Sequence, residues 1–585
     1  MKKQITTLRL VLNRFAFQEF LLIFFFVLLI NNYFQNDDVR IRADGKGYYD
    51  YLPALFIYHD LNFQFTDTLV TELYIHRESS NGYLPEVNGK RINKYFAGTA
   101  IAQAPFFLTA HAIASADDSI KSDGYSAIYQ RFIFYAALFY TFLGLLFLRK
   151  ILSLSGIGGL YIFVLQATVL FAGSLMYYVN SLPAFSHAYS FGLFNLFLYL
   201  VLLFFKKPKK RFLLGAAFCL GLIVLIRPVN VLVVAFVPFL FESLSDFKEK
   251  ITNVLLRQWK TLVFALFIAA SVVFIQPLIW FLQTGHFFIY SYQNEGFIFT
   301  NPNIFKFLFS FEKGLFVYAP AFFLLLSAGC VHLLLERNFW KVIAFFSAFV
   351  LTSWVLSSWW VWYYGGSIGS RVMIDYYGPM AIFGSSFFQV RSKVLKISLS
   401  LLLPLFMYVA IIQTFQYKNY ILMGVSMTKE KYFKIFLKTD EKYFGVLYHN
   451  FIEFSPNQVI HNKITDKDVL SNQEPNGLFL IEKTHFESPY NPENRYILQI
   501  IYDTKYLEGT DQFAIQLLNS ENKYIFAAAR HLFYGTLTEP FDGTALMNIE
   551  LGKLALENAT LRILLKKNET TSTLRKIETK LIVRK

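Results

Sequence analysis

Cysteine is nearly absent. The two residues of this type in 585, Cys219 and Cys330, both lie inside apolar runs. That excludes a disulfide framework and a cysteine-built metal site, and makes redox chemistry an unattractive reading. No compact cluster of His and carboxylates stands at metal-ligand spacing either, so no metal and no other cofactor is expected to be obligatory. Internal repeats and low-complexity linkers are also missing. Charged residues make up only 16% of the chain, against 55% hydrophobic ones that include 67 Phe and 36 Tyr. This is more apolar surface than a soluble protein of such length can bury, so the chain needs lipid as a solvent.

The formal charge of +15 first suggests nucleic acid. Many of the Lys and Arg residues, however, stand in short clusters between apolar runs, where they set membrane topology, and no nucleic-acid partner is expected. A helix needs about twenty residues to cross the hydrocarbon core. About eleven candidates are found, at roughly 12–31, 126–148, 155–176, 186–205, 211–226, 229–242, 260–282, 313–335, 341–358, 374–390 and 395–415. The first is read as a retained span, because no small-residue cleavage site follows it.

Basic residues precede the first span and then recur at Arg149 and Lys150, Lys206–Arg211, Lys248–Lys260, Arg337 with Lys341, and Arg391–Lys396. These are read as cytoplasmic connections. The alternation requires the apolar stretch 96–115, interrupted by Pro105, to lie along the outer face without crossing. Merging the two short runs that flank Arg227 and Pro228 would invert everything downstream. The expected arrangement is thus a multi-pass protein of a bacterial inner membrane, with a cytoplasmic N-terminus and a long first periplasmic loop, 32–125. After 415 the long apolar runs stop. A connecting segment, 416–460, leads to a small periplasmic all-β domain at 461–585, its strands at 477–483, 495–502, 512–518, 523–529, 545–551 and 560–566 spaced as in a β-sandwich.

With that topology, the polar clusters concentrate on the outer connections. The first loop holds Arg42-Ala-Asp44-Gly-Lys-Gly-Tyr-Tyr-Asp50-Tyr-Leu-Pro53, then His59-Asp60, then Asn93-Lys94-Tyr95. Asp44 either caps the helix that follows it or serves chemistry. Later connections bring Ser186-His187, Arg227-Pro228-Val-Asn230, Tyr290-Ser-Tyr292-Gln-Asn-Glu295-Gly296, Lys313-Gly314-Leu-Phe-Val-Tyr318-Ala-Pro320, and Trp359-Trp360-Val-Trp362-Tyr363-Tyr364-Gly365-Gly366-Ser367-Ile-Gly369-Ser370-Arg371. Single aromatics at a lipid interface are ordinary anchors. Arg227 and Arg371 are harder to place: a guanidinium at the membrane boundary is costly unless it snorkels or finds an anion, and its planar fork suits phosphate oxygens. The bland alternative is contact with a phospholipid headgroup.

The order of these motifs resembles glycosyltransferase superfamily C (GT-C), in particular the bacterial relatives of protein O-mannosyltransferases (glycosyltransferase family 39) and of the lipid A aminoarabinose transferase. The resemblance covers about 1–415. It implies an inverting transfer of a sugar from a polyprenyl-phosphate donor to an envelope glycan, lipid or protein at the periplasmic face. It also implies a first-loop carboxylate as general base, assigned to Asp44, with Asp50 and Asp60 as alternatives because this chain has Gly45 where those enzymes carry Asp-Glu. Lys94 matches the family's phosphate-contacting lysine, and Arg227 and Arg371 are assigned with it to the donor phosphate. Tyr95, His187, Glu295 and Trp360 complete the candidate substrate contacts. A transporter or flippase of lipid-linked glycan is the rival in another class; it predicts polar residues near span centres and symmetry between halves, and neither is seen. An O-antigen ligase or polymerase is the rival within the class. A scaffold for an envelope complex would not need so many spans.

Overall fold

The computed structural model describes residues 16–33, 39–67, 83–87, 89–419, 421–424 and 427–440, and beyond these 443, 447, 459–465, 479–486, 495–507, 512–522, 524–531, 541–553, 558–566 and 573–584. The chain forms two compact units, residues 1–66 with 83–414, and residues 67–82 with 415–585.

Among the described residues, five helices are long and apolar enough to cross a membrane: Ala127–Leu154, His187–Lys206, Trp259–Thr284, Phe339–Ser357 and Lys393–Lys418. Two bent pairs raise the number to seven if each is one span, and Phe17–Asn32 and Pro320–Leu335 are shorter apolar helices. The architecture is that of a polytopic membrane protein, but several of the eleven expected spans are not continuous helices.

The segment expected as a span at 229–242 is a 3-10 run, Pro228–Phe236 followed by Pro238–Leu240, each piece opened by a proline that supplies no backbone N–H. It turns by 116° into the helix Leu244–Arg257, whose start is capped by Ser243 accepting from the Asp246 N–H at 3.1 Å. At 313–335 the long helix begins only at Pro320, because the residue before a proline is kept out of the α region and Ala319 stands at φ −139°, ψ 58°. At 155–176 the chain bends by 59° between Phe171 and Leu175. There a side chain on Gly173 would stand 2.5 Å from the Tyr377 hydroxyl. The segment 374–390 is three short pieces, Arg371–Tyr376, Tyr377–Gly384 and Ser385–Gln389, of which the first and third are 3-10. Its middle piece is wholly buried, so it packs as core against protein and not as a face toward lipid.

The basic pair Arg149 and Lys150, expected in a loop, belongs instead to the helix Ala127–Leu154. Burial of Arg149 is tolerable because Glu19 meets its Nε at 2.7 Å and itself accepts from Gln166 at 2.6 Å, which ties the helix Phe17–Tyr33 to Ala127–Leu154 and Gly159–Phe171.

In the first loop, the short helices Asp44–Tyr49 and Tyr51–Phe56 rest on a second buried pair. Lys46 and Asp50, 1% and 0% exposed, stand 2.6 Å apart, one helical turn from each other. Tyr125 donates to Asp50 at 2.6 Å and Tyr83 donates to it as well. Asp50 is therefore a structural carboxylate. Asp50→Ala, which leaves the buried Lys46 ammonium with the Tyr83 hydroxyl at 2.6 Å but without its counter-ion, is expected to cost about 3–5 kcal/mol of stability, measured by denaturant unfolding in detergent. An unchanged midpoint would contradict this.

Among its described residues the second unit contains the helix Lys429–Ile435, capped by Thr428, and eight strands: β3 Val459–Thr465, β4 Phe479–Phe486, β5 Arg495–Leu507, β6 Gln512–Leu518, β7 Tyr524–His531, β8 Phe541–Lys553, β9 Ala559–Lys566 and β10 Thr573–Arg584; β1 and β2, Glu86–Val87 and Lys90–Arg91, form a small hairpin in the first unit. They build two four-stranded antiparallel sheets, ordered β3-β10-β5-β8 and β4-β9-β6-β7. Alternate residues from both, such as Tyr496, Leu498 and Ile500 on one and Phe513, Ile515 and Leu517 on the other, share one buried core. Two strands, β3 and β10, were not anticipated. Their Lys, Asn, Thr and Glu positions dilute the apolar alternation by which strands are read from sequence.

Candidate active site

Short connections decide which side chains can meet. The turn Lys207–Lys209 joins His187–Lys206 to Lys210–Ile226, so these neighbours run antiparallel and His187 and Arg227 come to the same end of the pair. The helix Gly98–Ala116 closes on that end. A side chain on its Gly98 would stand 2.3 Å from the backbone N of Ile226, so only glycine permits the approach that sets Lys94 and Arg227 near one another.

At this end lies a cavity of about 400 Å³. Its walls include Asp44, Lys94, Tyr95, His187, Arg227, Glu295, Trp360 and Arg371, together with Tyr48, Phe185, Tyr292 and Tyr364. Asp50 is not among the lining residues. Asp60 is not either: its carboxylate accepts from the backbone N–H groups of Asn62, Gln64 and Phe65 and holds its own turn.

Asp44 is the first residue of its helix, and the N-cap position is Ala43, which has no side-chain acceptor to cap it. Ala43 before it stands at φ 51°, a conformation rare for a residue with a Cβ. Gly45 and Gly47 allow the helix to press on its surroundings: a side chain at Gly45 would stand 2.9 Å from Ala184 Cβ, and one at Gly47 2.4 Å from the Tyr95 ring. Gly45 is thus a packing requirement here.

Arg371 Nη2 donates to Asp44 Oδ2 at 2.6 Å, and the Asp44 side chain is still 31% exposed, toward the cavity. Burial works to raise the Asp44 pKa, but Arg371, the Tyr95 hydroxyl and Lys94 outweigh it and hold the carboxyl below its usual value. The same partner pushes Arg371 up against the opposing effect of burial. Arg371 is delivered by a loop wound on Lys313, whose ammonium donates to the Ser367 carbonyl, while the Ser370 hydroxyl donates to the Lys313 carbonyl at 2.7 Å. Burial, with Arg371 nearby, lowers the Lys313 pKa to about 7.

Lys94 pairs with Glu295 at 2.6 Å across the cavity wall. Arg227 is differently placed: its buried Nη1 has no hydrogen-bond acceptor among the described residues, and the carboxylate of Asp375 lies 3.7 Å away. Asp375, fully buried, accepts from Asn230 at 3.0 Å and meets His187 Nδ1 at 2.9 Å. Its hold on Nδ1 leaves the other imidazole nitrogen as the one available to the cavity.

Asp375 went unrecognised in the sequence. The available signal was a lone acidic residue four positions after Arg371 at the head of an apolar segment, where an unpaired charge is too costly to leave without partners. Among the described residues, no group of three or more His, Cys, Asp or Glu side chains is placed to hold a metal ion.

Three cations, each already facing a carboxylate, stand here among aromatic rings suited to an apolar or sugar face, so an anion can enter where it displaces one of those carboxylates. No family model matches the sequence, and no curated protein does. Among solved structures, the chain is similar to the cryo-EM structure of arabinosyltransferase EmbB from Mycobacterium smegmatis, with 9% identity and a TM-score of 0.32 over 84% of this chain and 60% of that one. A likeness of that degree establishes neither a shared fold nor a shared activity.

Proposed function

We propose that the protein is an integral membrane glycosyltransferase that moves a sugar, with inversion, from a polyprenyl-phosphate donor to an envelope acceptor at the periplasmic face. The observation that carries this reading is the convergence of Asp44, Lys94, Arg227 and Arg371, from four separate stretches of chain, on one cavity. An acceptor hydroxyl attacks the anomeric carbon while Asp44 takes its proton; the bond from that carbon to the phosphate oxygen breaks, and polyprenyl phosphate leaves with the electron pair. Charge builds on the departing phosphate as the transition state forms, so cations already fixed beside it lower the barrier more than they tighten ground-state binding. Arg227, whose side chain lines the cavity and whose Nη1 has no hydrogen-bond acceptor among the described residues, is a point of attachment for that phosphate.

Purified protein is to be incubated with a panel of radiolabelled polyprenyl-phosphate sugars. Transfer, or slow hydrolysis with release of polyprenyl phosphate, is the expected result. Movement of intact lipid-linked sugar across a proteoliposome membrane with neither product would overturn the proposal in favour of a flippase.

A further inference from the structure

We propose that Glu295 occupies Lys94 in place of the donor's phosphate, and that binding of the donor exchanges one anion for the other. The inference rests on the donor reading given above.

The geometry makes Glu295 a direct competitor. Its carboxylate stands 2.6 Å from the Lys94 ammonium, and both side chains remain partly open to the cavity, at 28% and 18% exposure. Removing Glu295 from Lys94 does not require the surrounding loop to unfold. The Ser291 hydroxyl donates to the Lys94 carbonyl at 2.9 Å, Gln293 donates to the Glu86 carbonyl at 3.1 Å, and the Tyr290 hydroxyl donates to the Glu295 carbonyl at 2.5 Å. These contacts use backbone atoms of Lys94, Glu86 and Glu295 and stay in place while the Glu295 side chain turns. Half-open ion pairs are weak, because water screens them and holding two long side chains costs entropy. A phosphate held by Arg227 and Arg371 can therefore displace the carboxylate, and the two anions repel each other within the same small cavity. Glu295 sets a threshold: a neutral or weakly held ligand does not open the pair, whereas a phosphoryl group does.

The test measures binding of a short-chain polyprenyl phosphate in detergent to full-length wild type, Glu295→Gln and Lys94→Gln, with inorganic phosphate as a competing probe. Glu295→Gln retains a polar side chain of the same length but no charge, and is expected to bind about five- to tenfold tighter than wild type, a change of about 1 kcal/mol or slightly more. Lys94→Gln is expected to bind more weakly. Wild-type or weaker affinity in Glu295→Gln, with a thermal midpoint equal to that of wild type, would overturn the exchange while leaving the donor reading intact. If Glu295→Gln proves unstable, Glu295→Ala and the double variant with Lys94→Gln carry the comparison, the double variant being expected to gain less over Lys94→Gln than Glu295→Ala gains over wild type, since only the relief of repulsion between the two anions is left. Absence of binding by wild type at any concentration, with folded protein, would instead sink the donor reading, and the exchange with it.

Discussion

Asp44→Asn is expected to lower sugar transfer by about 10²–10⁴-fold, the usual range for loss of a positioned general base. The amide keeps the shape of the side chain and can still accept from Arg371, but it cannot take a proton. Turnover of radiolabelled donor by the purified variant checks the rate, while thermal unfolding and polyprenyl-phosphate binding check that the site remains assembled. Because Arg371 loses an anionic competitor in this variant, binding of the phosphate is expected to persist or strengthen even as turnover collapses. Wild-type turnover in Asp44→Asn would remove the assignment, and His187, oriented by Asp375 at 2.9 Å, would be the next proton acceptor to test.

Arg371→Gln is expected to act on two measurements at once. Donor affinity falls about 30-fold or more, the lower end of the cost of removing one partner from a buried charge pair. The acid limb of the pH–rate profile moves upward. The working form of Asp44 is the carboxylate, so activity is present above its pKa and lost as pH falls through it. In the intact protein Arg371 outweighs burial together with Tyr95 and Lys94 and holds that pKa below the ordinary value. Without the guanidinium, the effect of burial is opposed only by the weaker partners, the pKa rises, and activity is lost at a higher pH than in wild type. A profile of kcat/KM against pH for both proteins tests the sign; an acid limb that stays in place, or moves down, contradicts the pairing as the cause. Since a bound phosphate draws Arg371 away from Asp44 and adds its own negative charge, the acid limb of kcat should lie above that of kcat/KM in the wild type.

Much of the candidate site could be located in the sequence because its residues carry local signals. Arg227 and Arg371 are charges at the edges of apolar runs; Lys94 and Tyr95 precede an apolar helix, and Glu295 lies in a polar interruption. Each is conspicuous for the cost of burying it, which depends on the residue and its immediate neighbours. The first-loop carboxylates were not separable in this way. Asp44, Asp50 and Asp60 look alike in sequence, and only packing makes one line the cavity, one neutralise Lys46 and one hold a turn. The broken helices were equally hidden. Hydropathy reports the solvent a segment prefers and is blind to whether Pro238 or Gly173 interrupts its hydrogen-bond ladder at a particular contact.

Composition and the distribution of Lys and Arg by themselves determined that the first 415 residues require lipid and that a second, less apolar region follows. These follow from transfer free energies, which are nearly additive along a chain. Only the tertiary structure decided that Asp44 meets Arg371, 327 residues away, that Lys94 is held by Glu295, and that Asp375 joins His187, Asn230 and Arg227. Such pairings are set by how helices stack and where each one ends, a property of the whole packed unit that no stretch of sequence carries alone.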